Sequence, residues 1–316
     1  MNAAPGASAD PSFVHPALFY RDREEYLRGT VPFVRAGLEA GEPVAVAVPG
    51  PQLKLLRDAV GDGSDVLWQD MHEAGRNPGR IIPGVLRAFA DGFPHNRVRI
   101  IGEPIWPGRS ATEYPACAQH EALINLAFEG RAVTILCPYD AAGLEPGVLA
   151  DARATHPTLI DHEGTRESPE YAPHRVIDDQ NVAFPAPPRV PGLMFDLESL
   201  PRVRAFVCGR AAERGLGSER VSVLELIVNE LASNSVLHGG GTGTVRLWAE
   251  QGHIVCEVSD TGRIADRLAG RRPVNLGTKG GRGMLLVNHL ADLVRIHTGP
   301  AGTTIRAYMR LPTGSS

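Results

Sequence analysis

Residues 219–240 read ERVSVLELIVNELASNSVLHGG, and this stretch decides the class of the C-terminal half. Val221, Leu224, Ile227, Val228 and Leu231 recur at helical spacing and predict one buried stripe. Glu230 and Asn234 are four residues apart, so their side chains leave the same helix face one turn from each other. Ser233, Asn234 and Ser235 are poor helix formers placed late in the helix, where a purely structural helix gains little from them. Two readings stay open. Either the run is a fraying C-terminus closed by Gly239 and Gly240, or Asn234 offers an oxygen to Mg²⁺ while Glu230 orients or deprotonates a nucleophile.

Three features further along favour the second. Asp260-Thr261-Gly262 follows the strand-like run HIVCEVS. An acid there can accept a hydrogen bond from an exocyclic amine such as that of adenine, and a glycine two residues on lets the backbone approach a planar ring. Lys279-Gly280-Gly281-Arg282-Gly283 leads into the helical run MLLVNHL. Free N–H groups at a helix start, without Cβ crowding, suit a phosphate. Gly302-Thr303-Thr304 opens the final strand, where a hydroxyl could reach the same purine or a water beside it. Each feature alone has an ordinary explanation as a turn, a flexible loop or a strand. Their fixed order over about 120 residues is the informative property.

That order resembles the GHKL ATPase fold of gyrase, Hsp90 and histidine kinases. The short form N-E-L-x-x-N-x-x-x-H-G (Asn229 to Gly239) is most similar to the anti-sigma-factor serine/threonine kinases. The resemblance spans Leu193 to Leu311 and implies a two-layer α+β, Bergerat-type domain that binds ATP and Mg²⁺. It implies Glu230 as the base, Asn234 as the Mg²⁺ ligand and Asp260 as the reader of adenine. His238, Gly262, Lys279, Gly281, Arg282, Gly283 and Thr303 match the remaining nucleotide contacts. The implied activity is phosphorylation of an anti-anti-sigma (STAS-type) partner, together with binding of a sigma factor, in a homodimer. A non-catalytic, nucleotide-dependent partner-binding module is the alternative. The stretch between Gly262 and Lys279 would be the ATP lid. Its Arg263, Arg267, Arg271 and Arg272 could compensate phosphate charge, although a solvated basic loop is the default for most of them. No dimerisation helix with an acceptor histidine precedes the ATPase region, which argues against a conventional histidine kinase.

From Ser168 to Pro191 six prolines fall in 24 residues, ending in PAPPRVP. Such a stretch is extended and semi-rigid. The expected organisation is a tail (1–13), a sensory domain (14–165), a linker (166–192) and the kinase domain (193–312). Before the linker, strand-like runs PVAVAVPG, DVLWQD, RVRIIGEP and RAVTILCPYD alternate with helical runs QLKLLRDAV, IIPGVLRAFADGF and YPACAQHEALINLAF. That alternation predicts an α/β domain with a mainly parallel sheet. VAVAVPGPQLKLL lacks Gly-x-x-x-x-Gly-Lys-Ser/Thr, so P-loop catalysis is not expected.

The layout His15-x-x-x-x-Tyr20, GLEAGEPVAV, IIPGVLRAF, GEPIWPG, HEALINLAF and TILCPYD resembles the MEDS sensory domain, a catalytically reduced relative of RecA/KaiC-type ATPases. The resemblance implies the sensing of a small molecule and fixes no ligand. His15, Trp106, His120, Glu121, Cys137 and His156 are candidates for lining a pocket, and no ligand spacing supports a haem or metal site among them.

Composition narrows the classes. Lys plus Arg (32) against Asp plus Glu (36) gives a net charge of −4, which argues against broad binding to nucleic acid or anionic membrane. The longest aliphatic run, Val44–Val48, is far short of the roughly 20 residues of a membrane span. The first twelve residues show no basic start or apolar core of a secretion signal. The four cysteines form no Cys-x-x-Cys. A cytoplasmic location is expected.

Overall fold

The computed structural model describes residues 13–61, 63–273 and 281–312. Contacts divide the chain into two units, Met1–Gly75 with Val85–Ile177, and Arg76–Gly84 with Asp178–Ser316. The elements up to the boundary are β1 (Pro16–Tyr20), α1 (Arg23–Glu39), β2 (Val44–Val48), α2 (Gly50–Val60), β3 (Val66–Asp70), α3 (Met71–Ala74), α4 (Arg87–Ala90), β4 (Val98–Gly102), α5 (Tyr114–Ala127), β5 (Val133–Asp140), α6 (Pro146–Thr155), β6 (Thr158–Asp161), β7 (Gly164–Glu167) and α7 (Pro173–Asp179). The proline-rich tract therefore begins just after β7 and holds all of α7 before the chain extends towards Gly192.

The first unit is built on a seven-stranded sheet in the order β3-β2-β4-β5-β1-β6-β7. All neighbours pair parallel except β6 and β7. β1 and β2 are buried along their whole length, the burial that a parallel sheet under helices imposes. α1 starts at Asp22, whose carboxylate accepts from the Glu25 N–H (2.9 Å) and satisfies one orphan donor of the first turn. The turn after β2 begins Pro49-Gly50 and carries no phosphate loop.

Glu103, immediately after β4, is fully buried and accepts from the hydroxyls of Tyr20 (3.3 Å) and Tyr26 (3.4 Å). Burial, above all, raises its carboxyl to about 8, with the charge of Asp140 adding to the shift. The folded protein then holds a proton between pH 4.5 and 8 that the unfolded chain releases, so stability from this group is present below pH 4.5 and is lost as pH rises to 8. Denaturant midpoints at pH 5.5 and 7.5 should show the wild type losing about 1–3 kcal/mol more than Glu103→Gln, at up to about 1.4 kcal/mol per pH unit. Equal losses in the two proteins would show that Glu103 does not hold that proton.

The second unit contains β8 (Gly192–Phe195), α8 (Leu200–Glu213), α9 (Ser218–His238), β9 (Gly243–Glu250), β10 (His253–Asp260), α10 (Arg282–Leu290), β11 (Leu293–Gly299) and β12 (Gly302–Arg310). Its sheet is antiparallel throughout, in the order β11-β12-β10-β9-β8. The core joins α8, α9 and α10 to the sheet. Leu224, Ile227, Val228 and Leu231 of α9 pack with Val203 and Val207 of α8, Val245 and Leu247 of β9, Val258 of β10, Val287 of α10 and Ala307 of β12. Each large side chain buried there contributes about 1.5–3 kcal/mol. This is a two-layer α+β domain of GHKL ATPase architecture.

The segment Arg76–Gly84 belongs to this unit. Within it, the fully buried Asn77 donates from Nδ2 to the Asn288 carbonyl (2.7 Å) and accepts at Oδ1 from the Val294 N–H (3.3 Å). No helix among the described residues is long and apolar enough to cross a membrane.

Candidate nucleotide site

β10 and β12 pair in a register that sets Asp260 opposite Thr303. At that end of the sheet Gly302 takes φ 124°, and a Cβ on it would lie 2.0 Å from the Asp260 carbonyl oxygen. Only glycine allows this approach. Gly302→Ala should therefore cost about 1–3 kcal/mol in denaturant unfolding. A variant as stable as the wild type would show that the strands are not this close.

Asp260 is held from two sides. The Ser235 hydroxyl donates to its Oδ2 (2.6 Å) and the Gly262 N–H to its Oδ1 (2.9 Å). Thr303 Oγ1 donates to the Gly262 carbonyl (2.9 Å) and lies 2.8 Å from Thr298 Oγ1. Thr261 Oγ1 donates to the Gly239 carbonyl (3.1 Å), which ties the turn to the end of α9. A Cβ on Gly262 would stand 2.6 Å from the Gly239 Cα and 2.7 Å from the His238 carbonyl oxygen. The two glycines let the Asp-x-Gly turn rest directly on the helix terminus.

Asn234, His238, Asp260, Gly262, Gly281, Gly283 and Thr303 line one cavity of about 590 Å³, together with Leu231, Val258, Ile264, Met284 and Ile305. That volume falls in the usual range for small-molecule sites, about 300–1,000 Å³. Apolar walls with a few fixed polar groups suit a planar heterocycle.

Glu230, one turn before Asn234 on α9, also reaches Gly283. A Cβ on that glycine would come 2.6 Å from Glu230 Oε2 and 3.4 Å from Asn234 Nδ2. Glu230 lines a second cavity of about 620 Å³, formed in part by Pro273, Arg282, Gly283, Leu286 and His289. Pro273 and Gly283 border both cavities. The i, i+4 pair on α9 thus offers its carboxamide to one cavity and its carboxylate to the other. Neither side chain makes a hydrogen bond or ion pair among the described residues.

Gly281, at φ 77°, precedes α10, whose first N–H groups receive no side-chain cap. The residues present fit a magnesium-bound nucleotide: an orphan carboxamide, an uncapped helix start and a glycine cradle that a Cβ would fill. Arg282 opens α10 and borders the second cavity rather than the first. Lys279 lies outside the described residues.

The sequence pattern passed over Ser235, which anchors Asp260. Its signal was a small hydroxyl at i+4 from Leu231, on a face otherwise apolar. Arg271 is buried rather than solvated and donates to the Pro78 carbonyl (3.3 Å). Arg263 and Arg272 line the first cavity, and Arg267 pairs with Asp178 (2.9 Å).

The candidates of the first unit separate into two groups. His15, Glu121, Cys137 and His156 converge, with their ligand atoms all within 4.8 Å of one another. Trp106 packs elsewhere, against the guanidinium of Arg109 (3.9 Å) and the ring of His72 (5.0 Å). His120 is buried on α5 outside that group.

Two family models match the chain. Residues 14–157 match the MEDS domain, the methanogen/methylotroph, DcmR sensory domain. Residues 193–309 match the histidine kinase-like ATPase domain. The protein is a MEDS domain followed by a histidine kinase-like ATPase domain of the GHKL class.

No curated protein matches the chain. Among solved structures, the RsbU and RsbW domains of a Mycobacterium tuberculosis protein align at 23% identity over 38% of this chain and 32% of that one, with a TM-score of 0.28. The histidine kinase domain of the E. coli osmosensor EnvZ aligns at 20% identity over 39% of this chain and 91% of that one, with a TM-score of 0.25. The Acinetobacter baumannii histidine kinase AdeS aligns at 10% identity over 63% of this chain and 96% of that one, with a TM-score of 0.24. The chain thus spans about a third of the Mycobacterium chain it aligns with.

Proposed function

We propose that the protein is a regulatory serine/threonine kinase of the anti-sigma-factor type, with the MEDS domain as its sensory input for a small-molecule signal. One observation carries the reading. Glu230 and Asn234 both reach Gly283 from one face of α9 but line different cavities, so nucleotide and acceptor hydroxyl have separate approaches to one point.

In this reading Asp260, fixed by Ser235 and Gly262, accepts the adenine amine in the first cavity. The uncapped start of α10 and Gly281 would receive phosphate oxygens, and Asn234 would hold Mg²⁺. Bound Mg²⁺ supplies charge neutralisation for the phosphates, and phosphoryl transfer needs little else beyond positioning. Glu230 accepts the proton of a serine or threonine hydroxyl entering through the second cavity. His238 and Thr303 border the nucleotide, and Arg282 adds positive charge at the start of α10. The partner that presents the hydroxyl is a STAS-type antagonist, and the protein released or held in exchange is a sigma factor, with the kinase acting as a homodimer in the cytoplasm.

The chain leading into β8 supports a protein hydroxyl over an in-cis histidine. After α7 the segment 180–191 is irregular rather than a helical arm. The alternative is a module that binds nucleotide and only holds partners. Radiolabelled ATP, given with purified STAS proteins from the same genome, separates the two. Acid-stable label on the partner is the expected result. Nucleotide-dependent complexes without label transfer would favour the holding module, and acid-labile label would indicate a histidine acceptor instead.

A further inference from the structure

The first unit contains a group of four side chains that the kinase reading does not use. His15 stands just ahead of β1, Glu121 is on α5, Cys137 is on β5 and His156 follows α6. All four are at most 1% exposed. Burial at this level is costly for a carboxylate unless an opposite charge or several donors compensate it.

Around Glu121 that compensation is incomplete. Both carboxylate oxygens of Glu121 lack a hydrogen bond, and so does Nε2 of His156. His156 Nε2 nevertheless sits 3.1 Å from Glu121 Oε2, and His15 Nε2 sits 3.6 Å from it.

The surrounding hydrogen bonds decide which ring nitrogens carry protons. Asn125 donates its Nδ2 to the carbonyls of Thr155 (2.9 Å) and Ala122 (3.2 Å), which turns its Oδ1 towards His15 Nδ1 at 3.2 Å. An amide oxygen only accepts, so His15 Nδ1 carries the hydrogen. His156 Nδ1 lies 2.8 Å from the Ala152 carbonyl and carries its hydrogen for the same reason. Nε2 of each ring is then the atom that faces inwards. Both Nε2 atoms face the Glu121 carboxylate at the centre of the group. An outer hydrogen bond on Nδ1 with Nε2 directed inwards is the arrangement of metal-bound histidine.

The spacing agrees. His15 Nε2 is 3.4 Å from Cys137 Sγ, beside the 3.6 Å and 3.1 Å separations above. Metal–nitrogen distances near 2.0 Å and metal–sulfur distances near 2.3 Å in a tetrahedron place neighbouring ligand atoms about 3.3–3.6 Å apart. A divalent ion with one thiolate, one carboxylate and two neutral imidazoles also sums to zero charge, which suits a dry site. We propose that His15, Glu121, Cys137 and His156 form a closed, four-ligand site for a zinc-class divalent metal ion inside the sensory domain.

The mixed imidazole and thiolate donors favour zinc over magnesium or calcium, which take oxygen ligands. Binding forms the metal–sulfur bond and releases the Cys137 proton to solvent. The site ties the segment before β1 to α5, β5 and α6, and all four ligand positions are taken by protein, as in structural zinc sites. Sequence spacing conceals it because the four ligands come from four separate elements.

The test uses the full-length, tag-free chain. Elemental analysis of the purified protein should find one zinc per chain. After chelation, titration with Co²⁺ should give the visible bands of tetrahedral cobalt and a thiolate-to-metal charge-transfer band in the near ultraviolet. Cys137→Ser should remove the charge-transfer band. Asn125→Ala, which leaves every ligand in place, should weaken zinc binding about 10–100-fold. Zinc should raise the melting temperature of the stripped wild type. A wild type that binds neither zinc nor cobalt would overturn the proposal, as would a cobalt spectrum unchanged in Cys137→Ser or a haem spectrum in the purified protein.

Discussion

Glu230→Gln is expected to bind ATP as tightly as the wild type and to lose phosphoryl transfer to a protein hydroxyl by about 10²–10⁴-fold, the usual contribution of a positioned general base. The separation of effects follows from the position of the residue. Glu230 borders the second cavity and is absent from the wall of the first, where the nucleotide is proposed to sit. The substitution keeps the shape beside Gly283 and removes only the ability to take a proton. Titration calorimetry with ATP and label transfer to a STAS partner read the two properties independently. Full transfer by Glu230→Gln would remove the residue from catalysis. A large loss of ATP affinity would mean that the two cavities act as one.

Asp260→Asn has the complementary signature. A hydrogen bond to a charged group contributes about 1.5–3 kcal/mol, so ATP affinity should fall roughly ten- to a hundred-fold. The internal partners of the carboxylate constrain the variant. The Gly262 N–H needs an acceptor, so the new carboxamide must keep its oxygen there and turn its NH₂ towards Ser235. The Ser235 hydroxyl can rotate to accept, which preserves the fold but presents a donor where the adenine amine expects an acceptor. A thermal melt run in parallel distinguishes lost binding from lost folding. Unchanged ATP affinity in a folded Asp260→Asn would take Asp260 out of the nucleotide site.

The C-terminal domain was legible in the sequence because its signals are local. The apolar stripe of α9, the alternation in β9 and β10 and the glycines around Asp260 and before α10 can each be read within a few residues. The pairing of β10 with β12, which passes over β11 in the chain, and the placement of Asp260 opposite Thr303 came only with the structure.

The first unit was legible in outline only. β1 was concealed because it begins with proline, is buried on both faces and runs straight into the turn before α1. The short pair β6 and β7 and the seven-residue α7 carry too few residues for a period to emerge. The His15, Glu121, Cys137 and His156 group was invisible for a different reason. His15 and Cys137 are 122 positions apart, and only the pairing of β1 with β5 brings them together. Absence of ligand spacing in the sequence therefore hid a cluster of side chains that the tertiary structure assembles. Arg271 shows the converse, a charge that read as solvated until its burial against Pro78 was visible.

The most direct measurement is a crystal structure of the chain with magnesium and a non-hydrolysable ATP analogue. The account predicts the purine against Asp260 and Gly262, the metal on Asn234, the phosphates at the start of α10, and Glu230 facing the terminal phosphate beside Gly283. A nucleotide bound away from Asp260 and Asn234, or an empty cavity at saturating analogue, would contradict it.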